Sequence, residues 1–148
     1  MLFLIFYLGE QRYALAAQEV VEVVPVVQLK KIPQAPSFIA GLCNYRGAPV
    51  PIIDLCRIIE KRSANRHMST RVIMVHYQLK DGTDRLLGLV AERATEMVTL
   101  ESKDFVESGV SGEDITCCRR VAIDPDGMIH RVELNGLLPE NVRDVIFR

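Results

Sequence analysis

No apolar run in this sequence is longer than residues 1–8. That is far short of the roughly 20 residues a helix needs to span a bilayer. No basic segment precedes the run, and Glu10 and Arg12 separate it from Ala14-Leu15-Ala16, so no cleaved leader is read and the expected location is the cytoplasm. No block of Lys and Arg exceeds two residues and the formal net charge is −1, which argues against a nucleic-acid partner. Catalytic motifs are missing too: there is no Walker sequence, no GxGxxG, no HExxH and no GxSxG. The three histidines, His67, His76 and His130, sit in a polar loop and two strand-like segments, and none shares a recognisable motif with a cysteine. Asp124-Pro125-Asp126-Gly127 resembles a piece of a calcium loop but lacks the remaining ligands at the right spacing, so it reads as a turn. The vicinal pair Cys117-Cys118 lacks the CxxC spacing of a zinc site. With no sign of export, all four thiols are expected reduced, and Cys43 and Cys56 are expected as small buried apolar side chains. The reading is of a protein that is not an enzyme and carries no metal or cofactor.

What is present is an ordinary globular composition. The chain has 148 residues, 49% hydrophobic and 25% charged, enough for one domain with a sizeable core. Short β-rich runs alternate with turn residues along its length. Residues 1–8 fit a strand buried on both faces, 9–12 a turn, and 13–16 a returning strand. Ala17-Gln18-Glu19 fits one helical turn, and 20–29 a strand bent or placed at an edge by Pro25. Residues 30–36 read as a loop and 37–40 as a short helical turn. The polar stretch 62–69 reads as the crossover between two halves. Strands are expected at 71–79, 85–91, 96–100, 120–123 and 128–134, a loop at 101–114, and a short helix within 137–147. Many short strands with few helices predict an all-β fold of small closed sheets.

The most informative segment is 41–55, GLCNYRGAPVPIIDL. Two apolar runs flank Arg46-Gly47, where Gly47 can supply the positive φ of a tight turn. Pro49 and Pro51 each remove a ladder donor, which predicts an edge strand with both prolines on one face and Val50 and Ile52 on the other. Asp54 can cap a helical turn over 55–59. Arg46 then stands at the turn tip, where no core needs it, as a docking element or a brace for the turn. In VVEVV, residues 20–24, Val21 and Val23 face opposite to Val20, Glu22 and Val24.

A weak internal repeat aligns residues 14–24 with 88–98, with Leu15/Leu89, Ala17/Ala91, Glu22/Glu96 and Val24/Val98 identical. It suggests two similar β units packed on each other.

The ordered run Pro36-Ser37-Phe38-Ile39-Ala40-Gly41-Leu42-Cys43-Asn44-Tyr45-Arg46-Gly47, followed by Pro51-Ile52-Ile53-Asp54-Leu55, resembles the motif of the CheW-like coupling proteins of bacterial chemosensory arrays. The likeness covers residues 2–100 well and the rest poorly. It implies two packed five-stranded SH3-like β-barrels in one domain spanning 1–148, with 14–66 plus the chain ends forming one barrel and 67–134 the other. It also implies an adaptor recruited to membrane-associated receptor arrays without inserting into the membrane. One partner would be the regulatory domain of a CheA-like histidine kinase, bound through Val20, Glu22, Ile32 and Gly41. The other would be the cytoplasmic tip of a methyl-accepting chemoreceptor, bound through Asn44, Arg46 and Gly47, with Val72 and Gly88 as secondary contacts. On separate faces, Arg46→Glu should weaken receptor binding and spare the kinase. Residues 115–120 and the ending His130-Arg131-Val132-Glu133 depart from the family pattern, which bears on the second barrel's outer surface. The stretch 33–55 is also similar to the CheW-like subunits of Wsp-type surface-sensing systems. The competing reading is a two-barrel β module that binds a small ligand or peptide between its halves.

Overall fold

The computed structural model describes residues 1–26, 29–109, 118–138, 143 and 146–147. These form eleven strands and four short helical turns. The strands are β1 (Leu2–Leu8), β2 (Gln11–Ala16), β3 (Val20–Pro25), β4 (Ile39–Tyr45), β5 (Ala48–Asp54), β6 (Arg71–Gln78), β7 (Asp84–Ala91), β8 (Arg93–Thr99), β9 (Val106–Glu107), β10 (Arg120–Asp124) and β11 (Gly127–Arg131). Six form one sheet in the order β8-β1-β2-β11-β10-β9, and five form a second in the order β3-β6-β7-β5-β4. The two-residue β9 accounts for the strand beyond the expected five.

Both sheets are covered on both faces. Phe3, Ile5, Ala14, Phe105 and Ile129 fill one side of the six-stranded sheet. Val50, Ile52, Val72, Met74 and Val90 fill the corresponding side of the five-stranded sheet. The largest cluster lies between them, where Leu4, Phe6, Leu8 and Leu15 meet Ile53, Ile73, Val75, Tyr77, Leu87 and Leu89. Burying each of these large side chains contributes about 1.5–3 kcal/mol. This packing explains why residues 1–8 read as continuously apolar. β1 serves two cores, its odd residues Phe3 and Ile5 one and its even residues Leu4, Phe6 and Leu8 the other. The same packed layer fills the space in which a ligand between the halves would sit.

The sheets do not divide the chain at residue 66. β6 and β7 join the sheet of β3, β4 and β5, while β1 and β2 pair with the later strands β8 and β11. Residues 62–69 therefore connect two parts of one sheet. The true crossovers are the turn Ala17–Glu19, from β2 to β3, and Glu92, from β7 to β8. These are the two segments that align in the repeat, so the repeat marks the paired sheet-to-sheet crossings. Leu15 and Leu89, the identical leucines, are both fully buried in the central core.

Local expectations otherwise differ in detail. β2 starts at Gln11, so the first turn is only Gly9-Glu10. Ile39 and Ala40 belong to β4 and not to a helical turn. The expected loop 101–114 holds a helical turn, Ser102–Asp104, and β9. A helix within 137–147 falls largely outside the described residues, as does Cys117. Cys43 and Cys56 carry free thiols and are 4% and 0% exposed.

β5 is not a simple edge strand. Over Ile52–Asp54 it lies between β4 and β7, paired in parallel with Gly88, Leu89 and Val90. Over residues 48–51 only β4 is its partner. Tyr45↔Ala48 closes the hairpin, so Pro49 and Pro51 occupy alternate positions whose missing donors point away from β4. The prolines are tolerated because that side is open, and they end the β7 pairing there. Val50 and Ile52 face the core as expected.

Candidate partner-binding site

The β4–β5 turn is held in one conformation. Arg46 and Gly47 both take positive φ, 52° and 85°, the combination of the tight two-residue turn that matches strand twist. The Gly47 N–H donates to Asn44 Oδ1 at 3.0 Å. The Arg46 guanidinium lies over the Tyr45 ring at 5.1 Å from its centroid and donates to Glu22 Oε2 at 3.0 Å. The Tyr45 hydroxyl donates to the same oxygen, which raises its pKa. Glu22 is on β3, at the opposite edge of the five-stranded sheet from β4. The two edges thus approach each other, an approach that the Lys30↔Leu42 bridge continues.

Gly41 makes that approach possible. Its φ is +148°, and a Cβ there would lie 2.7 Å from the Lys30 carbonyl oxygen. It shapes the site without offering a side chain to it. On β3, Val21 and Val23 are 38% and 37% exposed, whereas Val20, Glu22 and Val24 are half-buried. The apolar residues available to a partner on this strand are therefore Val21 and Val23, with Glu22 engaged at their flank.

An apolar groove of about 530 Å³ lies beside the hairpin, lined by Ile32, Pro36, Leu42, Pro49, Pro51, Leu86 and Phe147 among others. A hollow of about 390 Å³ shares Leu42 and Pro49 and carries the surface on to Asn44 and Gly47. Of the nine residues named from sequence, Asn44, Gly47 and Ile32 line this continuous surface, and Arg46 and Glu22 are bonded at its corner. Val72 and Gly88 are elsewhere. Val72 is 1% exposed, and Gly88 is buried where a Cβ would strike Ile52 and Val72. The close approach that Gly88 permits is between its own sheet's side chains, so neither residue has a side chain available to a partner.

Tyr45, Val21 and Val23 complete the site. Tyr45 was legible only as a strand residue beside Arg46, since its reach to Glu22 depends on the meeting of two sheet edges.

A second polar cluster ties the sheets together. The Glu92 carboxylate accepts from the Gly9 N–H, from the Asn65 N–H at 2.7 Å and from the Arg62 guanidinium at 2.6 Å. These bonds, led by that from Arg62, hold Glu92 down to a pKa of about 2. Arg62 also donates to Glu60, which accepts from the Tyr13 hydroxyl. Among the described residues no cluster of His, Cys, Asp and Glu could hold a metal ion. His67 and His76 are exposed. His130 is half-buried against Tyr13, and burial lowers its pKa. Asp124 anchors Arg12 in a two-pronged ion pair at 2.7 Å. No helix among the described residues is long and apolar enough to cross a membrane.

Residues 2–141 match the model of the CheW-like domain. Chemotaxis protein CheW of Klebsiella aerogenes is 34% identical over 121 residues, covering 75% of this chain and 73% of that protein. Chemotaxis protein CheW of Helicobacter pylori is 24% identical over 103 residues, 70% of this chain, and the match spans 59% of the Helicobacter protein's length. Among solved structures, that of the scaffolding protein TtCheW from Thermoanaerobacter tengcongensis superposes with a TM-score of 0.81 at 28% identity, covering 95% of this chain and 89% of that one.

Proposed function

This chain belongs to the CheW-like domain family, and from that premise we propose that it is a non-enzymatic scaffold coupling a methyl-accepting chemoreceptor to a CheA-like histidine kinase. It works in the cytoplasm, recruited to receptor arrays. The observation that carries this reading is the bonded corner of Glu22, Tyr45 and Arg46, set between an exposed valine edge and an apolar groove. An adaptor needs apolar anchors, a cation with fixed geometry and strands that partners cannot misuse, and the corner supplies all three. Val21 and Val23 offer β3 to the kinase regulatory domain. Arg46, pre-oriented by its stack on Tyr45, can bind carbonyls or a carboxylate on the receptor tip. The groove fits a helix better than an added strand, because Pro49 and Pro51 remove two donors from the open side of β5. A helical hairpin laying its apolar stripe against Pro49, Pro51 and Leu42 would use the surface as it stands.

The likeness of residues 33–55 to Wsp-type subunits rests on sequence alone, and the relatives described above carry chemotaxis names. Calorimetry with the regulatory domain of the kinase encoded alongside tests the adaptor reading. Micromolar or tighter binding to wild type, lost in Glu22→Lys, supports it. A folded wild-type protein that binds neither that domain nor a receptor-tip fragment rejects it.

A further inference from the structure

Between Glu60 and Asp81 the sequence has no acidic residue, while Lys61, Arg62, Arg66 and Arg71 all fall between 61 and 71. The fold sorts these charges. The neighbouring carboxylates turn inward: Asp54 accepts from the Cys56 and Ala64 N–H groups, and Glu60 and Glu92 hold Arg62. Arg71 is spent on the carbonyls of Met68 and Thr70. Arg57, Lys61 and Arg66 stay exposed and, among the described residues, form no ion pair. The loop that carries them is nonetheless tightly built. Thr70 Oγ1 accepts from the His67 N–H and donates to the Asn65 carbonyl, both at 2.9 Å, and the Thr70 N–H returns to the His67 carbonyl at 3.1 Å. At its tip Met68 is 96% exposed, more than any other large apolar side chain described.

A loop with this many internal bonds, a fully exposed methionine and outward cations is a prepared contact surface, since nothing within the fold requires Met68 to be held there. We propose that the loop 61–70, with Arg57 beside it, is a third docking surface, which takes an acidic protein segment carrying an apolar residue for Met68. It lies at the opposite end of β5 from Arg46, roughly 20 Å away at the usual rise per strand residue, so it can be occupied together with the corner described above. One methionine and a few cations are too little to anchor the chain to a bilayer, which takes a stronger apolar insertion. No Phe, Tyr or Trp stands in the loop to stack a base.

The probe is a synthetic peptide of glutamates around a single leucine, titrated into the isotope-labelled full chain and followed by amide chemical shifts. Saturable shifts confined to residues 57–70 are expected. They should weaken at high salt and fall about tenfold in affinity in the Arg66→Glu, Met68→Ser double variant, both side chains being exposed. Shifts spread over the whole surface, or binding untouched by the double variant, would overturn the proposal. So would a silent peptide titration accompanied by co-sedimentation with anionic phosphatidylglycerol vesicles, which would assign the loop to lipid.

Discussion

Arg46 and Glu22 are 24 positions apart in sequence and 3.0 Å apart in the fold. Sequence reasoning assigned them to different partners on separate faces, and the structure makes them one contact. Whatever engages Glu22 must either keep that bond or free Arg46. Arg46→Glu sets two carboxylates together and is expected to weaken both kinase and receptor binding. The fold should lose no more than about 1 kcal/mol, because the side chains are 73% and 38% exposed. A double-mutant cycle of Glu22→Ala and Arg46→Ala on kinase affinity is expected to be non-additive. Strict additivity would mean that the bond has no part in binding.

Gly41→Ala should damage the fold before it damages any contact. The substitution forces an L-residue to φ +148° and drives its Cβ against the Lys30 carbonyl, which is backbone and cannot step aside. A loss on the order of 2 kcal/mol or more is expected, read as a lowered urea midpoint. Wild-type stability with reduced kinase affinity would instead make Gly41 a direct contact.

Gly88→Ala separates packing from binding in the same way. The added methyl meets Ile52 and Val72 inside a filled core, an overpacking that costs about 1–3 kcal/mol. Receptor affinity per folded molecule should be unchanged, and a selective affinity loss at full stability would restore Gly88 to the receptor surface.

Glu92 contributes to the acid sensitivity of the fold. Its carboxyl titrates near 2 in the folded chain and near 4.3 when unfolded. The unfolded state therefore binds its proton first as pH falls. The stabilisation, on the order of 3 kcal/mol, is complete above about pH 5 and is lost as pH drops towards 2. Glu92→Gln should be less stable at pH 7 and show a flatter stability profile between pH 5 and 2 than wild type. Parallel profiles would remove Glu92 from the account of acid sensitivity.

Cys56 should be inert in the native chain. Burial, helped by nearby carboxylates, pushes its thiol up to about 12, and its side chain is inaccessible, so almost no thiolate exists near neutrality. Alkylation mapped by mass spectrometry at pH 8 should modify Cys56 only after denaturant is added. Rapid native modification would show that the helical turn Cys56–Glu60 opens readily.

The sequence by itself determined what depends on neighbours in the chain. Period-two alternation, Arg46-Gly47 between apolar runs and Asp124-Pro125-Asp126-Gly127 between two others fixed the β class and both tight turns, because turn geometry is a property of two to four adjacent residues. The order of residues 36–55 was enough for the family resemblance. It could not assign β6 and β7 to the sheet of β3–β5, nor show that Pro49 and Pro51 sit on the open half of a strand whose other half is internal. Val72 and Gly88 read as surface candidates for the same reason, since a strand does not announce which sheet will cover it. Tertiary structure alone decided that Tyr45 and Arg46 meet Glu22, and that Glu92 gathers Gly9, Arg62 and Asn65. Those contacts join residues brought together only when the sheets close, and at that range the energy is set by register and packing and leaves no local pattern to read.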